Sequence, residues 1–153
     1  MKRFYYWSKI RFLADQKCVL GYTIAKILYF CHMKNKKTLV LGASTNPERY
    51  SFKAISMLVQ KGHTVLAIGQ NTGEVAGITI RTKMIPLSGI NTVSLYLNAL
   101  RQKDYYNYIV ETKPKRVIFN PGTENPEFAQ LLEINNIKVE VACTLVLLAT
   151  NQF

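Results

Sequence analysis

Thr38-Leu-Val-Leu-Gly-Ala-Ser-Thr-Asn-Pro-Glu-Arg-Tyr-Ser51 is the stretch on which the fold turns. Its first four residues form a short apolar run that ends at Gly42, the pattern of a strand buried on both faces. Ser44, Asn46 and Pro47 then read as a turn, and residues 51–61 place Phe52, Ile55 and Val59, with Met57 and Leu58, on a helical stripe. Gly62 is a C-terminal stop, and residues 63–68 form a second apolar run. A β-α-β unit of this length builds parallel sheet.

The alternation continues outward. Residues 92–97 read as a strand, 101–111 as a helix and Arg116–Phe119 as a strand. A helix over about 125–135, a strand at Lys138–Val141 and a helix at 144–150 complete the series. Between Gly69 and Gly89 the pattern weakens, and residues 77–81 suggest a short edge strand. Strands and helices in strict turn predict an α/β fold: Rossmann-like, doubly wound, with a mainly parallel sheet in a three-layer sandwich.

Composition sets the bounds. The chain has 153 residues, 48% of them hydrophobic and 19% charged, enough to bury a core. Its apolar runs fall well short of the ~18–20 residues of a membrane span. Three cysteines without close spacing make neither a disulfide framework nor a zinc cluster, and reduced thiols in the cytoplasm are expected. The net charge of +11 points to a polyanionic partner: nucleic acid, a membrane surface or a phosphorylated ligand.

That charge divides unevenly. Residues 1–32 carry a net +5 and eight of the 17 aromatics, whereas residues 33–153 carry +6 over nearly four times the length. The first segment is therefore a basic, aromatic extension, and the compact domain is placed at 33–153. Three readings of the extension stand: a stretch no fold requires, which is favoured; a helix packing on the domain or a membrane surface; or a targeting segment, against which Lys26 interrupts the apolar run. Membrane contact and nucleic-acid binding are not favoured.

In doubly wound folds ligands bind at the carboxyl ends of the strands, so the 42–51 turn is the first candidate site. Gly42 permits a close backbone approach, and the start of the following helix suits a phosphate or diphosphate. Ser44, Thr45 and Ser51 offer hydroxyls, while Arg49 and Lys53 can meet phosphate charge. The blander reading has Ser44 or Asn46 shaping the turn and Ser51 capping the helix. The dehydrogenase fingerprint is incomplete, because Ser44 and Pro47 stand where its second and third glycines belong. The second strand runs into Gly69-Gln70, without the acid that holds a free ribose hydroxyl, and a nicotinamide cofactor is disfavoured.

Gly42-Ala-Ser-x-Asn-Pro-x-Arg-Tyr-Ser51, Gly62-His-x-Val65, Gly77 and Asn120-Pro-Gly122 together resemble the small stand-alone CoA-binding proteins. Their domain is similar to the nucleotide-binding domain of the succinyl-CoA ligase alpha subunit. The resemblance covers about 36–148 and leaves residues 1–32 untouched. It implies coenzyme A or an acyl-CoA as bound ligand, with Gly42, Ala43, Ser44, Arg49, Tyr50 and Ser51 around the phosphates. It puts Gly69 and Gln70 near the adenosine, and Asn98, Asn120, Pro121 and Gly122 nearer the pantetheine arm. One departure is Ile68-Gly69-Gln70, where many members carry Val-Asn-Pro; the reading of the 3′-phosphate stays open there.

No catalytic set emerges from the sequence. His63 lies at the far end of the sheet from the turn and reads as a solvated turn residue or a partner for a helix-terminal carbonyl. Cys143 follows the last strand and reads as a structural cysteine, with a mixed disulfide to a ligand thiol as the sharper alternative. Glu124 and Glu127 fit a helix's first turn, and Lys113-Pro-Lys-Arg116 reads as a solvated basic turn. The expectation is a non-catalytic CoA-binding protein of open oligomeric state. The alternative is a small oxidoreductase or acyl-CoA-handling enzyme using a dinucleotide at the same turn.

Overall fold

The structure, a computed structural model, describes residues 35–153; the expected boundary at residues 32/33 and the whole N-terminal extension lie outside them. Seven strands form one sheet: β1 (Thr38–Ala43), β2 (Val65–Gly69), β3 (Gly73–Val75), β4 (Ile78–Arg81), β5 (Thr92–Leu95), β6 (Arg116–Phe119) and β7 (Lys138–Val141). Their spatial order is β3-β4-β2-β1-β5-β6-β7, with only the β3–β4 pair antiparallel. The chain lays β2, β3 and β4 on one side of β1, with β3 at the edge and β4 between it and β2, then returns to the other side of β1 and builds β5, β6 and β7 outward. The strand order therefore reverses between β1 and β5, where such sheets open a crevice.

Alternate residues of the central strands feed two cores. Val40, Val65, Ala67 and Ile80 pack with Ile55 and Leu58 of α1 (Tyr50–Gln60) and Leu148 of α5 (Thr144–Ala149). On the other face Leu39, Leu41, Val93, Leu95, Val117 and Phe119 meet Ile109 of α3 (Tyr106–Thr112) and Phe128 and Leu132 of α4 (Pro126–Ile134). Both faces of the sheet are covered, as the double-sided apolar runs require. The fold is the expected Rossmann-like α/β sandwich.

Two segments depart from the sequence expectation. The helix expected at 101–111 is broken into α2 (Ala99–Gln102), a 3₁₀ turn at Lys103–Tyr105, and α3. The cause is Gln102, fully buried at the break: its Nε2 donates to Leu97 O (2.8 Å) and Thr123 O (2.7 Å), and its Oε1 accepts from Asn125 Nδ2 (3.0 Å). Anchoring an amide there fixes the backbone where a regular helix would carry it onward. The second departure is β3, which takes the edge expected for residues 77–81 and leaves β4 paired on both sides; it joins β4 through a two-residue turn at Ala76-Gly77, both at positive φ (50° and 79°). That is the turn chemistry of a tight hairpin, hidden because alanine occupies its first position.

The Lys113–Arg116 turn is also revised. Lys113 ends α3 in the left-handed conformation, as a turn residue would, but Arg116 points into the structure. Its Nη1 donates to Glu140 Oε2 (3.0 Å), its Nε donates to Thr92 Oγ1 (3.0 Å), and its guanidinium lies 4.8 Å from the centre of the Phe153 ring. Of the two carboxylates expected in the first turn of α4, Glu127 is there and Glu124 precedes the Asn125 cap.

Candidate functional site

At the point of strand-order reversal, the carboxyl ends of β1 and β5 diverge around a cavity of about 450 Å³. Gly42 makes the divergence feasible. Its φ is +87°, and a Cβ there would lie 2.7 Å from the carbonyl oxygen of Tyr96. The pairing of β1 with β2 slips by one residue at this point, which turns Ala43 and Ser44 up into the opening.

The turn after β1 is self-supporting. Ser44 Oγ accepts from the Asn46 amide (3.2 Å), and Asn46 Oδ1 accepts from the Glu48 amide (2.9 Å). The expected turn-shaping role is therefore real for both residues, and the Ser44 hydroxyl keeps its own proton for a ligand. Ser51 is not the cap: the cap position is Arg49, whose side chain makes no capping bond, and Ser51 sits one residue inside the helix, buried. The 11-residue α1 thus opens at the cavity without a side-chain cap: Arg49, Tyr50 and Ser51 line it, and the Phe52 and Lys53 amides bond to the Arg49 carbonyl.

Across the opening, Asn98 Oδ1 caps α2 by accepting from the Arg101 amide (3.0 Å). The Arg101 guanidinium reaches back over the cavity, with Nη1 donating to Gln70 Oε1 at 3.4 Å. Tyr96 forms part of the floor. Its hydroxyl lies buried near Ser94 and Thr144 without good hydrogen-bond geometry to either, and burial pushes the phenol up to about 12. Beneath it Asn120 ties three elements together: its Nδ2 donates to Ser94 Oγ and Leu95 O, and its Oδ1 accepts from the Thr144 amide (2.8 Å).

Eleven of the residues singled out in the sequence line this one cavity: Gly42, Ala43, Ser44, Thr45, Arg49, Tyr50, Ser51, Gln70, Asn98, Pro121 and Gly122. Gly69, Asn120 and Lys53 do not, the Lys53 ammonium lying 5.6 Å from the centre of the Tyr50 ring. Gly69 packs so closely on β1 that a Cβ would meet the Ala43 carbonyl oxygen at 2.3 Å, and the Asn120 side chain is consumed by the buried network. Asn71, Tyr96, Leu97, Arg101 and Thr123 join the lining unannounced. Their signal was positional, since each follows a strand that ends at the crevice.

Among the described residues the lining contains Arg49 and Arg101 but no Asp or Glu, and neither arginine forms an ion pair. Guanidinium groups beside an uncapped helix start and hydroxyls form a donor set of the kind that suits phosphate oxygens. A nucleotide diphosphate fits this donor set, and the chemistry of the lining repels no part of it. Cys143 is half-buried at the start of α5 and does not line the cavity. His63 is at the opposite end of β2, where its Nδ1 accepts from the Lys36 amide (3.1 Å); the helix-terminal carbonyl of Leu58 is taken by its backbone amide instead. Among the described residues no helix is long and apolar enough to cross a membrane.

Comparison with known proteins agrees with this fold. A crystal structure of an uncharacterized protein is 45% identical, with a TM-score of 0.76, and the match covers 78% of this chain and 98% of that one. The structure of cell-free ID.343 from Thermus thermophilus (22% identity, TM-score 0.69, covering 84% and 98%) shares the fold. So does a hypothetical protein from Pyrococcus horikoshii OT3 (24% identity, TM-score 0.66, covering 80% and 87%). A search of curated proteins found no match. The family model described as a CoA binding domain matches residues 36–149, and with three quarters of its length inside that model the chain belongs to the CoA-binding domain family.

Proposed function

We propose that the cavity binds coenzyme A or an acyl-CoA, with the diphosphate seated on the 42–51 turn, and that the chain works as a binding protein without chemistry of its own. The observation that carries this reading is the acid-free lining around the uncapped start of α1, with Arg49 and Arg101 on either side. The Tyr50 and Ser51 amides, the Ser44 hydroxyl and Arg49 would hold the diphosphate. Gln70 and Asn71 after β2 would face the adenosine ribose, and Asn98 with Pro121-Gly122 would border the pantetheine arm. The non-catalytic reading is supported by a lining that, among the described residues, holds no histidine, cysteine or carboxylate to serve as base or nucleophile. Calorimetric titration of the full chain with coenzyme A tests the binding, and saturable heat is expected. No saturable heat with coenzyme A, dephospho-CoA or acetyl-CoA would remove the proposal. Mass spectrometry of the protein as purified tests the absence of chemistry, since a co-purified flavin or nicotinamide nucleotide would favour an enzyme instead.

A further inference from the structure

Arg101 is the least expected member of the lining, and its surroundings define a narrow role. It emerges from the last turn of the four-residue α2, whose start is fixed by the Asn98 cap. Asp104 lies three residues further on and would be the natural neutralising partner along a helix. Among the described residues no ion pair joins them. The guanidinium instead crosses to the end of β2, where Nη1 meets Gln70 Oε1 at 3.4 Å. A second-strand terminus is where doubly wound sheets hold the ribose of a bound adenine nucleotide.

The residue type at that terminus decides what the ribose can carry. A carboxylate there accepts from free ribose hydroxyls and repels a ribose phosphate. Here the position holds an amide, and a cation that pairs with no carboxylate among the described residues is drawn across to it. We infer that Arg101, steered by Gln70, reads a phosphate on the ribose, so that the site selects a nucleotide bearing a 3′-phosphomonoester over its dephosphorylated form. This rests on the CoA reading above and adds to it a specificity-determining residue. Arg101 has donors to spare beyond the one turned to Gln70, and two of them match a phosphate in the forked geometry that arginine supplies. The single long contact to Gln70 is weak enough to yield to a charged ligand.

The test is calorimetric titration at fixed ionic strength of wild type, Arg101→Ala, Arg101→Lys, Gln70→Glu and Arg81→Ala, each with coenzyme A and with dephospho-CoA. Arg81 ends β4, opposite Ile68, at the same end of the sheet but outside the cavity, and so reports general electrostatics. Wild type is expected to prefer coenzyme A by roughly tenfold to a hundredfold, the range of a charge-assisted hydrogen bond. Arg101→Ala should collapse that ratio to about one, and Arg101→Lys should restore part of it as a point charge without the fork. Gln70→Glu should weaken coenzyme A more than dephospho-CoA. The inference is overturned if wild type binds both equally, if Arg101→Ala weakens both alike, or if Arg81→Ala rather than Arg101→Ala removes the preference. Failure of wild type to bind either compound is a different result, and it would reject the CoA reading itself.

Discussion

The two ends of the sheet are both basic, and they use their cations in opposite ways. At the amino ends of the strands Arg116 is held by Glu140, Thr92 and the Phe153 ring, and Lys36 Nζ donates to Phe153 O (2.8 Å). His63 packs on the same ring at 5.0 Å. At the carboxyl ends Arg49 and Arg101 have no acidic partner among the described residues and border the cavity. Charge of one sign is therefore spent on cohesion at one end and left available at the other. Net charge alone cannot tell these apart; partner geometry can.

If the carboxyl end is built for a ligand, its backbone should tolerate change least. Gly42→Ala adds a Cβ 2.7 Å from the Tyr96 carbonyl oxygen at a residue whose φ is +87°. The left-handed conformation and the clash together should cost roughly 2–4 kcal/mol of stability, read as a lowered urea midpoint. Coenzyme A affinity should fall as well, because the turn moves with Tyr96. A variant as stable as wild type would mean that the crevice closes and reopens more easily than this packing allows.

Arg49→Ala separates the two kinds of cation. Loss of a charged hydrogen bond to phosphate should weaken coenzyme A by ~1.5–3 kcal/mol in a titration, while the urea midpoint stays put. Arg116→Ala should do the reverse. Removing a side chain that is only 12% exposed leaves Glu140 without its closest cation and Phe153 without its cover, for about 1–3 kcal/mol of stability. Affinity for coenzyme A should not change. If Arg49→Ala destabilised the fold, or Arg116→Ala weakened binding, the division of labour between the two ends would be wrong.

The same contrast explains what could be read from the sequence. The 42–51 turn was readable because its parts are contiguous: strand, glycine, turn residues and helix start follow within fourteen positions. Arg101 was not, because its role depends on β5 returning beside β1, which brings α2 within reach of a residue 31 positions earlier. Arg116 misled for the same reason. Within Lys113-Pro-Lys-Arg116 it looks solvated, and only Glu140 and Phe153, both distant in sequence, bury it. The Ala76-Gly77 hairpin and the break at Gln102 were lost because propensity describes a residue alone, whereas a positive-φ alanine and a buried amide are set by tertiary contacts.

The smallest effect should come from pH, and it should touch only the amino end. Burial holds the His63 pKa below 6.5, and the nearby cations Lys36, Arg116 and Lys61 push the same way. The unfolded chain therefore takes up the proton first. The stability linked to neutral His63 is complete above about pH 6.5 and is lost as pH falls through the window beneath it. The structure supplies the local reason: an imidazolium cannot accept from the Lys36 amide, so protonation breaks that bond. Urea unfolding from pH 7.5 to 5 should show a shallow fall in stability, and His63→Gln should flatten it. Coenzyme A titrations over the same range should give matching pH profiles for wild type and His63→Gln, because His63 touches no part of the crevice. A His63-dependent change in affinity would show that the two ends are coupled through β2, and the separation of cohesion from binding would have to be abandoned.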